Sequence, residues 1–226
     1  IGCAIHLALK SAPEADFETA ITLEEVAGLV PVRVTRTGDR LHAEFRAPVL
    51  PHPPAHGTLP DVGVLAAAVG LGPETIGTGA HRPGLWQGGP SYLYVPVRDL
   101  EALAAARPSE PAWSRAMEIA AADSIYLYAP LPPGQGADFR ARMFSPTAGI
   151  PEDPATGSAA AIMAAQLCAA GMLQEGESRL TLHQGVEMGR ASAIGLRIVT
   201  LDGALAEIHV SGSAVPVIRG RIFCPD

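Results

Sequence analysis

Lysine is almost missing from this chain of 226 residues. Fifteen of its sixteen basic residues are arginine, and Lys10 is the one lysine. Lys10 closes an apolar helix-like run at its solvent end, so no lysine is placed to form a Schiff base in a pocket. Positive charge is also in deficit overall, with a formal net charge of −7. A nucleic-acid or anionic-membrane surface needs clustered cations, so neither partner is expected. Only three cysteines occur, Cys3, Cys168 and Cys224. An odd, widely spaced set argues against a disulfide framework and for a reduced, intracellular protein. No apolar run reaches the roughly 18–20 residues that span a bilayer. Ile1 opens without a charged n-region, so no signal peptide is read, and the cytoplasm is the expected compartment. The first residues, IGCAIHLALK, begin inside a helix-like pattern with no visible cap, and we expect natural sequence to precede them.

What is abundant is apolar: 48% of residues are hydrophobic, enough for a sizeable core. Residues 1–10 read as a buried helix. Residues 28–47 read as a hairpin, with Val30, Val32 and Val34 on one face, Leu41, Ala43 and Phe45 on another, and a turn at Thr37-Gly38-Asp39. Five prolines between 48 and 61 make that stretch the best candidate linker. Helices are predicted over 62–71, 100–106 and 112–122, and strands over 92–97, 124–128 and 139–144. A final helix ends near Gly171, and strand-like runs follow at 178–183, 191–201, 204–210 and 214–223. Strands grouped with a few short helices argue for an α+β fold. IGCAIHLAL and GSAAAIMAAQL are both small-residue apolar helices opening at glycine, a weak internal echo that hints at a duplicated unit.

The most informative stretch is EDPATGSAAAIMAAQL, residues 152–167. Pro154 suits a tight turn before a helix and pushes Asp153 into an extended conformation. Thr156, Gly157 and Ser158 offer hydroxyls and free N–H groups, and Gly157 lets a ligand approach the main chain. The helix from Ala159 is apolar on nearly every face, interrupted only by Gln166, so it must be covered all round. Its N-terminus is then a polarised mouth suited to a carboxylate or phosphate. Asp153 and Ser158 also suit ordinary helix caps, and either reading accommodates them. The grouping of Glu152, Asp153, Thr156 and Ser158 favours a site, because one cap would suffice.

RMFSPTAGIPEDPATGSAAA (142–161) resembles the signature of the PhzF-like family of phenazine biosynthesis proteins. HQGVEMGRAS (183–192) is similar to its Gln-Gly…Met-Gly-Arg segment, and IGCAIHLAL to the helix after its Gly-His-Pro-Thr loop. The resemblance runs in order along essentially the whole chain. It implies a diaminopimelate epimerase-like fold, two pseudo-symmetric halves each wrapping a mixed sheet round a central helix. Here the first half would be incomplete: residues 1–58, with the tail 213–226 returning to it, and residues 59–212 as the motif-bearing half. It further implies a homodimeric isomerase or epimerase that moves a proton on a small carboxylate- or amino-acid-like substrate without a cofactor, in a cleft between the halves. By the same resemblance Asp153 is the catalytic cleft aspartate, contacting a polar group of the substrate. Gly157, Ser158 and the adjacent Thr156 hold its carboxylate. The family's general acid/base glutamate lies upstream of the Gly-His-Pro-Thr loop and has no counterpart in this sequence. Glu14, Glu18 and Glu24 lie downstream of the first helix, in the wrong place to substitute. A catalytically inactive binding homologue is the alternative.

Competing chemistries fare less well. Two-thiol racemisation needs a cysteine at the helix tip, where Thr156-Gly157-Ser158 stands, and Cys168 is nearly three turns inside the helix. His52 and His56 lack a third ligand, so no metal is expected. Ser158 does not sit in a G-x-S-x-G elbow. The glycines at 70, 72, 77 and 79 form no phosphate loop. His183 ends a strand near the motif, and a strand-end role is its commoner meaning. Arg140 and Arg142 alternate on one strand face, expected to be solvated unless an anionic ligand sits there.

Overall fold

The computed structural model describes residues 1–11, 15–26, 28–218, 220–221 and 223. Glu14 and Cys224, weighed above, lie outside the described residues. Two compact units emerge: Ile1–Arg46 with Ser211–Asp226, and Ala47–Val210.

The first unit is a helix on a three-stranded antiparallel meander: α1 (Gly2–Ser11), β1 (Phe17–Glu25), β2 (Gly28–Thr37) and β3 (Arg40–Arg46). β2 and β3 form the expected hairpin. Thr37 pairs with Arg40 across Gly38-Asp39, and Val30, Val32, Val34 and Ala43 are buried together. β1 was not anticipated, although Phe17, Ile21 and Leu23 alternate along it and pack on that core. α1 is buried only along a stripe of Ala4, Ile5 and Ala8; Leu7 and Cys3 are exposed. The expectation of a wholly buried first helix is therefore corrected. Alanines spaced one turn apart meet the sheet while the opposite side faces out. The strand expected at 214–223 is also absent among its described residues. Pro216 lacks the N–H a ladder needs.

The second unit carries a mixed sheet in the order β11-β10-β9-β7-β6-β5-β4, with β8 beside β7. The strands are β4 (Gly84–Gln87), β5 (Ser91–Pro96), β6 (Ser124–Pro130), β7 (Phe139–Ser145), β8 (Ile150–Asp153), β9 (Gly176–Gln184), β10 (Ser192–Leu201) and β11 (Ala204–Gly212). β5 runs parallel to β6 and β7 parallel to β9, while β4, β8 and β10 pair antiparallel with their neighbours. This is the α+β architecture read from the grouping of elements. The short β4 and β8 were not recognised, being four residues each.

Strand alternation sends the two faces of this sheet to different helices. Leu93, Val95, Ile125, Leu127 and Phe144 pack against α2 (Val62–Ala68), α3 (Leu100–Ala105) and α4 (Ala112–Ala120). Tyr92, Tyr94, Tyr126 and Tyr128 take the other face, with edge-to-face ring contacts at 5.7–6.3 Å among the first three. There they meet α5 (Gly157–Ala169), in which every residue from Ala159 to Leu167 is buried. Tyr94 Oη donates to the Ala159 carbonyl at 2.7 Å. Gln166, the polar residue within the buried stretch of α5, is fully partnered. Its Nε2 donates to the Arg82 carbonyl at 2.6 Å and to Tyr128 Oη at 3.0 Å, and its Oε1 accepts from Trp86 Nε1 at 3.0 Å. The dry column expected from the sequence is thus a real feature of this unit.

The proline-rich stretch 48–61 is docked rather than free. His52 exchanges backbone hydrogen bonds with Gln87, and Thr58 donates to the Ile119 carbonyl at 2.9 Å. Proline fixes φ, which suits a rigid surface strap as well as a linker.

Trp113 of α4 is among the largest fully buried side chains, yet its Nε1 finds no acceptor among the described residues. Trp113→Phe therefore gives up packing but no hydrogen bond. We expect it to lower stability by only about 1–2 kcal/mol, read from urea unfolding by circular dichroism. A larger loss would mean that the indole N–H is satisfied in solution.

Candidate active site

The site begins where β8 stops. Pro154 holds Asp153 extended at the strand end, and extended residues alternate sides. Glu152 and Asp153 therefore point to opposite faces of the sheet. Glu152 meets Arg142, Nε to Oε1 at 2.8 Å and Nη2 to Oε2 at 2.9 Å. The four-residue polar cluster read from the sequence is corrected accordingly, since Glu152 leaves it. Asp153, Thr156, Gly157 and Ser158 remain together at the start of α5.

Thr156 occupies the N-cap position, but its side chain caps no helical N–H. Its Oγ1 instead donates to Asp153 Oδ2 at 2.6 Å. The first N–H groups of any helix lack an intrahelical acceptor. Here the hydroxyl that would ordinarily take one of them is engaged elsewhere. Gly157 is half-buried and Ser158 exposed, so this end of an otherwise buried helix is open to ligands. Positive dipole, free donors and a neighbouring carboxylate acceptor together suit a molecule that carries both an acid group and a hydrogen-bond donor.

Three residues missed by sequence reasoning complete the surroundings. Tyr92 Oη lies 2.8 Å from Ser158 Oγ. Burial pushes the Tyr92 phenol above its ordinary range; the Ser158 hydrogen bond offsets part of this, and the negative charge of Asp153 adds to it. Tyr92 therefore meets Ser158 as a neutral hydroxyl. Gln184, fully buried, donates from Nε2 to the Asp153 carbonyl at 2.7 Å and to Thr156 Oγ1 at 2.9 Å. Tyr126 donates to Gln184 Oε1 at 3.1 Å. Burial also raises the Tyr126 phenol, and the negative charge of Asp153 adds to the shift. The signal for the tyrosines was the Tyr92-x-Tyr94 and Tyr126-x-Tyr128 spacing, which puts like residues on one face. For Gln184 it was strand parity, which separates it from its neighbour His183. His183 is half-buried on the opposite face, in register with Arg140.

Neither arginine of β7 is a solvated anion ligand. Arg140 pairs with Glu187 at 3.0 Å. Arg142 is 2% exposed and is engaged with Glu152 and with backbone carbonyls at the end of α3. At Arg142 the cause is the end of α3, which covers the strand there, and at Arg140 it is Glu187 in the turn after β9; the local pattern reveals neither. Glu18 and Glu24 are exposed on β1. Among the described residues no group of three or more metal-ligating side chains gathers, and no helix is long and apolar enough to cross a membrane.

Comparison with known proteins follows the same lines. The chain is 38% identical over 205 residues to an uncharacterised isomerase of Mesorhizobium japonicum, covering 89% of this chain and 67% of that one. It is 36% identical over 138 residues to the trans-2,3-dihydro-3-hydroxyanthranilate isomerase of Pseudomonas chlororaphis, covering 61% of this chain but only 46% of the relative. The chain thus spans about half the length of that enzyme. Its structure superposes on a predicted epimerase from Pseudomonas aeruginosa with a TM-score of 0.76 at 28% identity, over 99% of this chain and 73% of the other. That likeness bears out the epimerase-type α+β fold expected from the motif. The phenazine biosynthesis-like protein model, PhzC-PhzF, matches residues 1–220, and the chain belongs to that family.

Proposed function

We propose that this chain is part of an isomerase or epimerase that shifts a proton on a small carboxylate- or amino-acid-like substrate without a cofactor. The observation that carries the reading is the uncapped, accessible start of α5 beside Asp153, on a helix that is otherwise dry. The substrate carboxylate docks on the N–H groups at Gly157 and Ser158 and on the Ser158 hydroxyl, which Tyr92 orients. Negative charge that builds towards this carboxylate as a C–H proton leaves is stabilised by donors already fixed in place. Asp153 accepts a hydrogen bond from an amino or hydroxyl group and so sets which C–H bond is presented. The proton is passed to a general acid/base, which the family resemblance assigns to a glutamate in sequence ahead of α1.

The test uses the complete natural protein in deuterium oxide. Candidate substrates are amino acids and trans-2,3-dihydro-3-hydroxyanthranilate, the compound named in the Pseudomonas relative. Deuterium entering at carbon is followed by NMR. Exchange with at least one of them is expected, with Asp153→Asn slowing it about 100-fold and Ser158→Ala mainly raising KM. No exchange with any substrate while anthranilate still binds at the α5 mouth favours the inactive binding homologue. Neither exchange nor binding overturns the proposal.

A further inference from the structure

We infer that Gln184 is a positioning residue for this site: its locked side-chain amide forces the Thr156 hydroxyl to donate to Asp153, so that Asp153 meets a ligand as a pure acceptor. The positioning role rests on the proposed function only in that 153–158 is a ligand site; the lock itself follows from the hydrogen bonds each group can make.

The Gln184 side chain has no contact with solvent and uses all its capacity inside the protein. Oε1 accepts from Tyr126 Oη at 3.1 Å and from the Thr156 backbone N–H at 3.3 Å. Nε2 donates to the Asp153 carbonyl at 2.7 Å and to Thr156 Oγ1 at 2.9 Å. Two of these four partners are backbone groups whose polarity cannot change: a peptide N–H can only donate and a peptide carbonyl only accept. Turning the amide over would set N–H against N–H and oxygen against oxygen, in a place water does not reach. The amide therefore has one orientation, settled by the chain itself.

That orientation decides the next link. Thr156 Oγ1 receives a hydrogen from Nε2, so its own hydrogen must go elsewhere. The acceptor in reach is Asp153 Oδ2, at 2.6 Å. A protonated Asp153 donating back would leave the threonine hydrogen without an acceptor among the described residues. The sequence of donors is thus Gln184 to Thr156 to Asp153, and it ends on a carboxylate that accepts. Sheet geometry makes this possible, because β9 places Gln184 on the α5 face beside β7, from which β8 hangs.

The test combines a readout that needs no ligand with one that does. In 15N-labelled protein, the two Gln184 side-chain amide protons should appear as separate, slowly exchanging signals. Thr156→Val should speed exchange of one of them at least tenfold, while Thr156→Ser, which keeps the hydroxyl, should leave both within about twofold. Anthranilate, a probe carrying an acid and an amine, should bind about tenfold more weakly to Thr156→Val and normally to Thr156→Ser. In a Gln184→Met background Thr156→Val should add no further loss. Free-glutamine exchange rates in the wild type, or an unaltered signal in Thr156→Val, would overturn the lock even if the protein proves to be an isomerase. Intact exchange signatures without anthranilate binding would instead keep the lock and count against the site reading. Equal anthranilate affinity in Thr156→Val and wild type would overturn the positioning role.

Discussion

Arg142→Met should unfold the second unit far more easily than any surface change. The guanidinium is engaged on every side. It forms a two-pronged pair with Glu152 and donates from Nη1 to the carbonyls of Leu103, Ala104 and Ala106 at 2.9, 3.2 and 2.9 Å. Those carbonyls end α3, where a helix leaves its acceptors unpaired and presents its negative pole. The guanidinium carbon also lies 4.7 Å from the Phe144 ring centroid. Methionine fills similar space but strands the Glu152 carboxylate and the α3 carbonyls together. Removing one partner of a buried pair costs about 3–5 kcal/mol, and that is the loss expected here. Arg142→Lys should recover little, because one ammonium cannot span both the carboxylate and the carbonyls. Glu152→Gln should be milder, and in the Arg142→Met background it should restore stability by removing the orphan charge. Tryptophan fluorescence during urea unfolding reports this unit alone, since both tryptophans, Trp86 and Trp113, belong to it. A loss below about 1 kcal/mol would mean that water reaches these groups and satisfies them.

Gly185→Ala is expected to damage both stability and the site. Gly185 has φ +74° and follows Gln184 into a tight turn closed by Arg190 N–H on its carbonyl at 2.9 Å. A Cβ built there would lie 2.5 Å from the Arg190 carbonyl oxygen and 2.8 Å from that of Pro154. Both obstacles are backbone, so the chain itself must move. Left-handed strain of about 1–2 kcal/mol adds to this overlap, for an expected total of roughly 3–5 kcal/mol. The displaced segment is the one that carries Asp153, so anthranilate binding should fall as well. Gly189→Ala is the matched control: φ is +69°, but open space surrounds its Cβ position. It should show the strain alone, about 1 kcal/mol, with the site intact. Equal effects at the two positions would mean that the overlap with Pro154 relaxes freely.

Much of this protein was legible in its sequence because local chemistry repeats at short range. Alternation exposed the β2–β3 hairpin, β5, β6 and β7 were readable as strands, and Gln166 stood out as the polar interruption of an apolar helix. The all-apolar run after Ser158 demanded burial on every side, and Pro154 with Gly157 marked an irregular entry to it. A long motif carried the family, and the family carried the epimerase-like fold. What the tertiary structure alone decided was the partner of each polar group. Glu152 and Asp153 are neighbours in sequence yet serve opposite faces of a sheet. Arg142 looked like a solvated strand residue until α3 was seen to end against it. Gln184 was passed over for His183, because one step along a strand reverses the direction of a side chain and only pairing with β7 says which direction is inward. Period and propensity act within a few residues and survive in the linear order. The partners of Gln184 and Ser158 lie far along the chain, Thr156 at 28 residues from Gln184 and Tyr92 at 66 from Ser158, and which face of the sheet each segment is brought to settles their hydrogen-bond polarity.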